Sequence, residues 1–255
     1  MLKDTAKPID LRAQIQNRFN VDKNSLTPPL PRKISIEVNN SCNHSCFFCQ
    51  NPTMERTRRV MDPQLVYRLL DEAYEAGVRE ASFFSGGEPF LNKHMADFVG
   101  YAKRKGFEYV YLSSNGGKVT NNRIIPVLEA GLDSLKFSVN AGSRESYAMV
   151  HGHDEFDDVM ANIDLVLNWR ATHRPNMKVF ISIVSTPYNQ DDYQMLKQRF
   201  DGRVDEVIRY PFAVVGTPVV HRTDKDGADR PAIGYEDVIG DDDINQNRLS
   251  LPCYQ

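Results

Sequence analysis

The sequence predicts an α/β protein built on a parallel sheet, and three observations carry that reading. Six apolar runs of β type alternate with helical patterns, the helices each show one apolar stripe, and one helix-turn-strand unit is echoed along the chain. The strand candidates are KISIEVN (33–39), ASFF (81–84), EYVYLSS (108–114), SLKFSVN (134–140), KVFISIVST (178–186) and DEVIRY (205–210). Strand-helix repeats of this length favour right-handed crossovers, hence parallel strands in a sheet that is open or curled toward a barrel.

In chain order, residues 1–32 are polar, contain the break TPPLPR, and read as an N-terminal arm. The core starts near Lys33. Asp62 can cap a helix with Pro63 in its first turn, Val66, Leu69, Leu70 and Ala73 recur at i, i+3, i+4, i+7, and Gly77 can close it. Met95, Phe98, Val99 and Ala102 repeat the stripe before Gly106, and Phe156, Val159, Met160, Ile163 and Leu167 form a third. These stripes read as packing against the sheet. The echo is EAGVREASFF (75–84) with EAGLDSLKFS (129–138), each a helix end, a turn and the next strand. Beyond 211 the segment RTDKDGADRPAIGYEDVIGDDD is rich in Asp, Gly and Pro and reads as a connection or solvated extension, so the core ends near 220.

The chain has 255 residues, 41% of them hydrophobic, enough for one large core. With 31 basic and 34 acidic residues the net charge is -3, which gives no electrostatic reason to expect nucleic acid. No apolar run approaches the roughly 20 residues that span a bilayer, and the N-terminus lacks the apolar stretch of a signal peptide. A soluble, cytoplasmic protein is expected, with no membrane partner.

Three of the four cysteines fall in CNHSCFFC (42–49), directly after the first strand, where parallel α/β folds gather their chemistry. Taken alone, Cys42, Cys46 and Cys49 admit three readings. A structural zinc site would need a fourth ligand from His44 or Cys253; an iron-sulfur cluster would keep one iron open; or three ordinary thiols are buried. His44 sits inside the loop, where reaching the same ion as both neighbours is sterically awkward.

The C-x3-C-x2-C spacing, with aromatic Phe48 before the last cysteine and SGGEP (85–89) after the second strand, resembles the radical S-adenosylmethionine (radical SAM) superfamily. The resemblance covers about residues 33–220 and implies a partial (β/α)6, TIM-like barrel. It implies a [4Fe-4S] cluster on Cys42, Cys46 and Cys49 whose open iron is chelated by S-adenosylmethionine. Reductive cleavage then gives a 5'-deoxyadenosyl radical that abstracts hydrogen from a substrate, with flavodoxin or ferredoxin as electron donor. A small-molecule or peptide substrate is expected, peptides and sugars being the classes that similar members with a SPASM-like tail modify.

Site residues follow from the same resemblance. Ser85, Gly86, Gly87, Glu88 and Pro89 are expected at the amino group of S-adenosylmethionine; the alternatives are an ordinary glycine turn and a Glu88 that braces the loop. Ser114 and Asn115 end the third strand, and Ser138 resembles the position that contacts the ribose. Asn140 stands where similar proteins often carry Asp, so ligand contact and turn bracing are both open. His151 precedes Gly152 where an arginine is expected to pair with the carboxylate of S-adenosylmethionine, a role Arg144 could take instead. Ser182 is a further candidate on the polar face of the fifth strand. His153 reads as a loop residue, and ERTRR (55–59) as a solvated loop with a basic donor-docking patch as its alternative. Cys253 resembles the opening cysteine of a SPASM or twitch extension, which would make this sequence a piece of a longer protein; an isolated buried cysteine is the alternative. The competing function is a non-catalytic iron-sulfur or zinc-binding protein on the same fold.

Overall fold

The computed structural model describes residues 30–212 and the strand pair 222–223 and 229–230. The N-terminal arm up to residue 29 and Cys253 lie outside the described residues. All six strand candidates form: β1 (Lys33–Ser35), β2 (Glu80–Ser82), β3 (Tyr109–Ser114), β4 (Ser134–Ser138), β5 (Lys178–Val184) and β6 (Glu206–Tyr210). They make one parallel sheet in sequential order, β1-β2-β3-β4-β5-β6, which does not close on itself. β7 (Arg222–Thr223) and β8 (Asp229–Arg230) form a separate antiparallel pair that the sequence does not predict.

The first strand is shorter than its apolar run. Ile36 N still donates to Ser82 O at 2.9 Å, but Asn39 then bridges Val60 and Val38 O accepts from Met61 N at 2.9 Å, so the chain peels away from β2. That departure delivers the cysteines to the carboxyl edge of the sheet.

The expected helices are α1 (Pro63–Glu75), α2 (Met95–Lys105) and α5 (Phe156–His173); α3 (Asn121–Glu129), α4 (Arg144–His151) and α6 (Asp192–Phe200) complete the set. Asp62 caps α1 through Gln64 N, and Gly106 ends α2 in the left-handed region at φ 109°. The echo has a shared backbone cause: Gly77 and Gly131 follow their helices at φ 99° and 106° and turn the chain into β2 and β4. The predicted stripes are buried, except that Leu69 is only partly covered. They pack on Leu112, Leu135, Phe137, Val179 and Ile181, which all point to one face of the sheet. The other, inner face carries Ser35, Tyr111, Ser113, Lys136, Ser138 and Phe180, none of them fully buried.

Candidate metal centre

The cysteine loop is stitched to α4 as it leaves the sheet. Ser45 N donates to His151 O at 3.0 Å, Phe47 N to Val150 O at 3.1 Å, and Cys49 N turns back to Cys46 O at 3.0 Å. Phe47 packs edge-on against Phe48 and Tyr188, fixing the aromatic side of the loop. Cys42, Cys46 and Cys49 are partly accessible and form no disulfide. N–H groups approach two of the sulfurs: His44 N at 3.5 Å and Asn115 Nδ2 at 3.6 Å from Cys42 Sγ, and Asn51 N at 3.4 Å from Cys49 Sγ. Donors of this kind suit sulfur that carries negative charge, as a metal-bound thiolate does. Burial, with Glu88 and Cys49 nearby, pushes the Cys42 thiol up to about 11, so a bound cation is what would deprotonate it. The donor set fits an iron-sulfur cluster held by three thiolates.

The SGGEP loop lies against this arc. Glu88 N donates to Ser41 O at 2.8 Å, and Asn39 Nδ2 donates to Glu88 O at 2.9 Å. A Cβ on Gly87 would stand 2.6 Å from both Asn39 O and Ser41 O, so only glycine lets the two loops touch. Gly86 N donates to Glu37 Oε2 at 3.0 Å, and Gly86 O accepts from Asn51 Nδ2. Ser85 is exposed, while Pro89 is buried at the start of a short 3-10 turn.

Glu88 takes the bracing role. Its fully buried carboxylate accepts from Phe90 N (3.1 Å), Ser114 Oγ (2.7 Å) and Asn115 N (2.8 Å), tying the glycine loop to the end of β3. Burial pushes this carboxyl up to about 7 despite those three donors. Ser114 is committed to that brace and to Gly116 N; Asn115 bridges Asn43 Oδ1 (3.0 Å) and Gly117 N (2.9 Å) beside Cys42.

Glu155, which the sequence does not single out, gathers the back of the site. It accepts from His44 Nε2 (2.9 Å), Asn43 Nδ2 (3.1 Å), Lys118 Nζ (3.3 Å) and His153 Nε2 (3.2 Å), and it lies directly under Gly117. Burial opposes its ionisation, but the His44 bond and the charges of Lys118 and His153 hold it down to about 2. Burial also lowers the pKa of His44, whose Nε2–H is used on Glu155; its buried Nδ1 has no hydrogen-bond partner among the described residues.

Several expected ligand residues are otherwise engaged. His151 is buried, its Nε2–H donating to Val139 O at 2.7 Å and its Nδ1 lying 3.1 Å from Cys46 Sγ. Burial, then His44, pushes this imidazole down to about 3, so the ring is neutral and links Cys46 to the end of β4. Arg144 is claimed by Asp154 and Asp157. Asn140, at φ 56°, braces β4 to β5: Oδ1 accepts from Val184 N (2.9 Å) and its carbonyl from Asn189 Nδ2 (2.7 Å). Ser182, in register with Ser138 on the inner face, is buried, its Oγ 3.4 Å from Phe137 O, and Ser138 meets Ser113 at 3.3 Å. The ERTRR run is exposed but not merely solvated. Arg56 pairs with Glu37 at 2.7 Å, and Arg58 donates to Asn40 O at 2.6 Å and to Asn51 O.

The sequence model of the radical SAM superfamily matches residues 36–198, from the end of β1 into α6. The chain belongs to the radical SAM superfamily. It is 27% identical over 136 residues to a probable GTP 3',8-cyclase of Thermoplasma volcanium, covering 51% of this chain and 40% of that protein. It is 26% identical over 159 residues to a tungsten-containing aldehyde ferredoxin oxidoreductase cofactor-modifying protein of Pyrococcus furiosus, covering 61% and 44%. The chain therefore spans about half the length of the curated relatives it matches. Among solved structures, Streptococcus suis SuiB bound to S-adenosylmethionine superposes with a TM-score of 0.61 at 15% identity, over 80% of this chain and 44% of that one, a likeness of fold. Radical SAM proteins use a [4Fe-4S] cluster and S-adenosylmethionine. No helix among the described residues is long and apolar enough to cross a membrane.

Proposed function

We propose that residues 33–220 are the core of a radical SAM enzyme that cleaves S-adenosylmethionine reductively and abstracts hydrogen from an organic substrate. The observation that carries the proposal is the seam between the two loops, where Glu88 N meets Ser41 O and Asn115 meets Cys42. Cys42, Cys46 and Cys49 would hold three irons and leave the fourth for S-adenosylmethionine. When bound, the pair supplies methionine and a 5'-deoxyadenosyl radical, chemistry that belongs to the cofactors. The chain's part is to position them. Asn115 and the His44 amide steady the Cys42 sulfur, and Glu88 fixes the glycine backbone at the amino group. Phe48 and Ser138 are the side chains proposed to line the nucleoside.

The test is anaerobic reconstitution with iron and sulfide, then dithionite and S-adenosylmethionine, with 5'-deoxyadenosine as readout. Product above a Cys46→Ala control is expected; a full cluster without product sinks the enzyme reading. One observation favours a second reading, a zinc site: ligand atoms of His44, Cys46 and His151 lie within 4.8 Å of one another. Zinc in place of iron and sulfide in protein purified under anaerobic conditions would select it.

A further inference from the structure

The inner face of the sheet carries a cation without a counterion among the described residues. Lys136 lies in mid-strand on β4, in register with Ser113 on β3 and Phe180 on β5, two residues before Ser138. It is half-buried and makes no hydrogen bond or ion pair among the described residues. Its Nζ instead rests 5.1 Å from the centre of the Tyr210 ring, and Lys33 Nζ lies 5.6 Å from that of Tyr111. Burial, and secondarily Lys33, lowers the pKa of Lys136.

The carboxylates of this face are engaged elsewhere or lie in solvent: Glu206, in the row of Lys136 through Phe180, is exposed on the edge strand β6. Glu37 is held by Arg56 and Glu80 by Arg32, at 2.7 and 3.1 Å. A half-desolvated ammonium on a ring face is only partly compensated, because a quadrupole is a weaker partner than an anion. Lysine is a compact point charge that suits a carboxylate or phosphate oxygen. The hydroxyl of Ser113, in register with Lys136 on the neighbouring strand, can donate to the same group.

We propose that Lys136, with Ser113, binds an anionic oxygen group, carboxylate or phosphate, of the substrate. The group would sit about 7 Å below the Ser138 level along the strand, at two residues' rise, leaving the rest of the molecule directed toward the cysteine loop. This deepens the radical SAM reading by naming a substrate class, and it rests on that reading for the reaction.

The probes are inorganic phosphate and acetate, titrated into the full chain with carbon-13-methylated lysines and followed by NMR. The Lys136 signal is assigned by its loss in Lys136→Met and, should that variant not fold, in Lys136→Gln. A saturable shift of that signal with one anion is expected, the responding anion identifying the source. Affinity should fall about tenfold or more in Lys136→Met, the loss of a charged hydrogen bond, and be unchanged in exposed Lys93→Met. A Lys136 signal that neither anion moves, or moves only as much as Lys93, overturns the proposal. The readout needs neither cluster nor S-adenosylmethionine, so its failure leaves the radical SAM reading standing, and absence of 5'-deoxyadenosine leaves the anion site standing.

Discussion

The loop over residues 85–89 and the loop over 42–49 touch, but they draw their order from different sources. The glycine loop is fixed by the chain itself: Glu88 spends its amide, carbonyl and carboxylate on six internal hydrogen bonds. The cysteine arc is anchored through Asn43, His44, Ser45 and Phe47, while the N–H groups that approach Cys42 and Cys49 stand 3.4 to 3.6 Å from sulfur. One loop is preorganised, and the other waits for a cation to complete it.

The sharpest way to break this contrast is to remove ligands. Cys46→Ala should reduce reconstituted iron to background while changing the unfolding free energy of the metal-free protein by less than about 1 kcal/mol, as for a partly exposed side chain; an equal loss of stability would show that the thiol is structural. Gly87→Ala should act in reverse. Its methyl meets two backbone oxygens that cannot swing aside, and a cost on the order of 3 kcal/mol is expected in denaturant unfolding without metal.

Glu88→Gln replaces an acceptor pair with one acceptor and one amide donor facing N–H groups, at a cost of about 1–3 kcal/mol. The carboxyl sits at about 7 in the folded chain against an ordinary 4.5, so its proton is bound more tightly when folded. Its favourable contribution is full below pH 4.5 and is lost as pH rises through about 7. Wild-type stability should therefore decline relative to the Gln variant across that interval; a pH-independent difference would remove the burial argument. The smallest effect concerns dynamics. Chelating the iron should speed amide exchange over 42–49 and leave 85–89 unchanged, and equal acceleration of both would erase the distinction.

The sequence made the scaffold readable because strands and helices announce themselves locally. Asp62 before Pro63, the Glu-Ala-Gly turns and the alternation in SLKFSVN each follow from neighbours a few residues away. α3 was harder to see, since Pro126 lies inside it. The three cysteines and SGGEP were legible for the same local reason. Glu155 was not, because its four partners come from the cysteine loop, the turn after β3 and its own helix start, and no spacing encodes that meeting. His151 was expected beside the carboxylate of S-adenosylmethionine from its position alone, and a pattern gives position along the chain and not burial. Only the fold shows that Val139 O and Cys46 occupy its two nitrogens.

The sequential strand order bears on how the protein is made. Each strand pairs with the one synthesised just before it, so the sheet can grow from β1 outward as the chain leaves the ribosome. The cysteines emerge early, but their clamps come late: His151 is 105 residues beyond Cys46, and Glu155 is 111 beyond His44. Until β4 and the start of α5 are in place, the sulfurs hang on an unsupported segment. The clamps on the cysteine loop can form only once the chain has been made through Glu155.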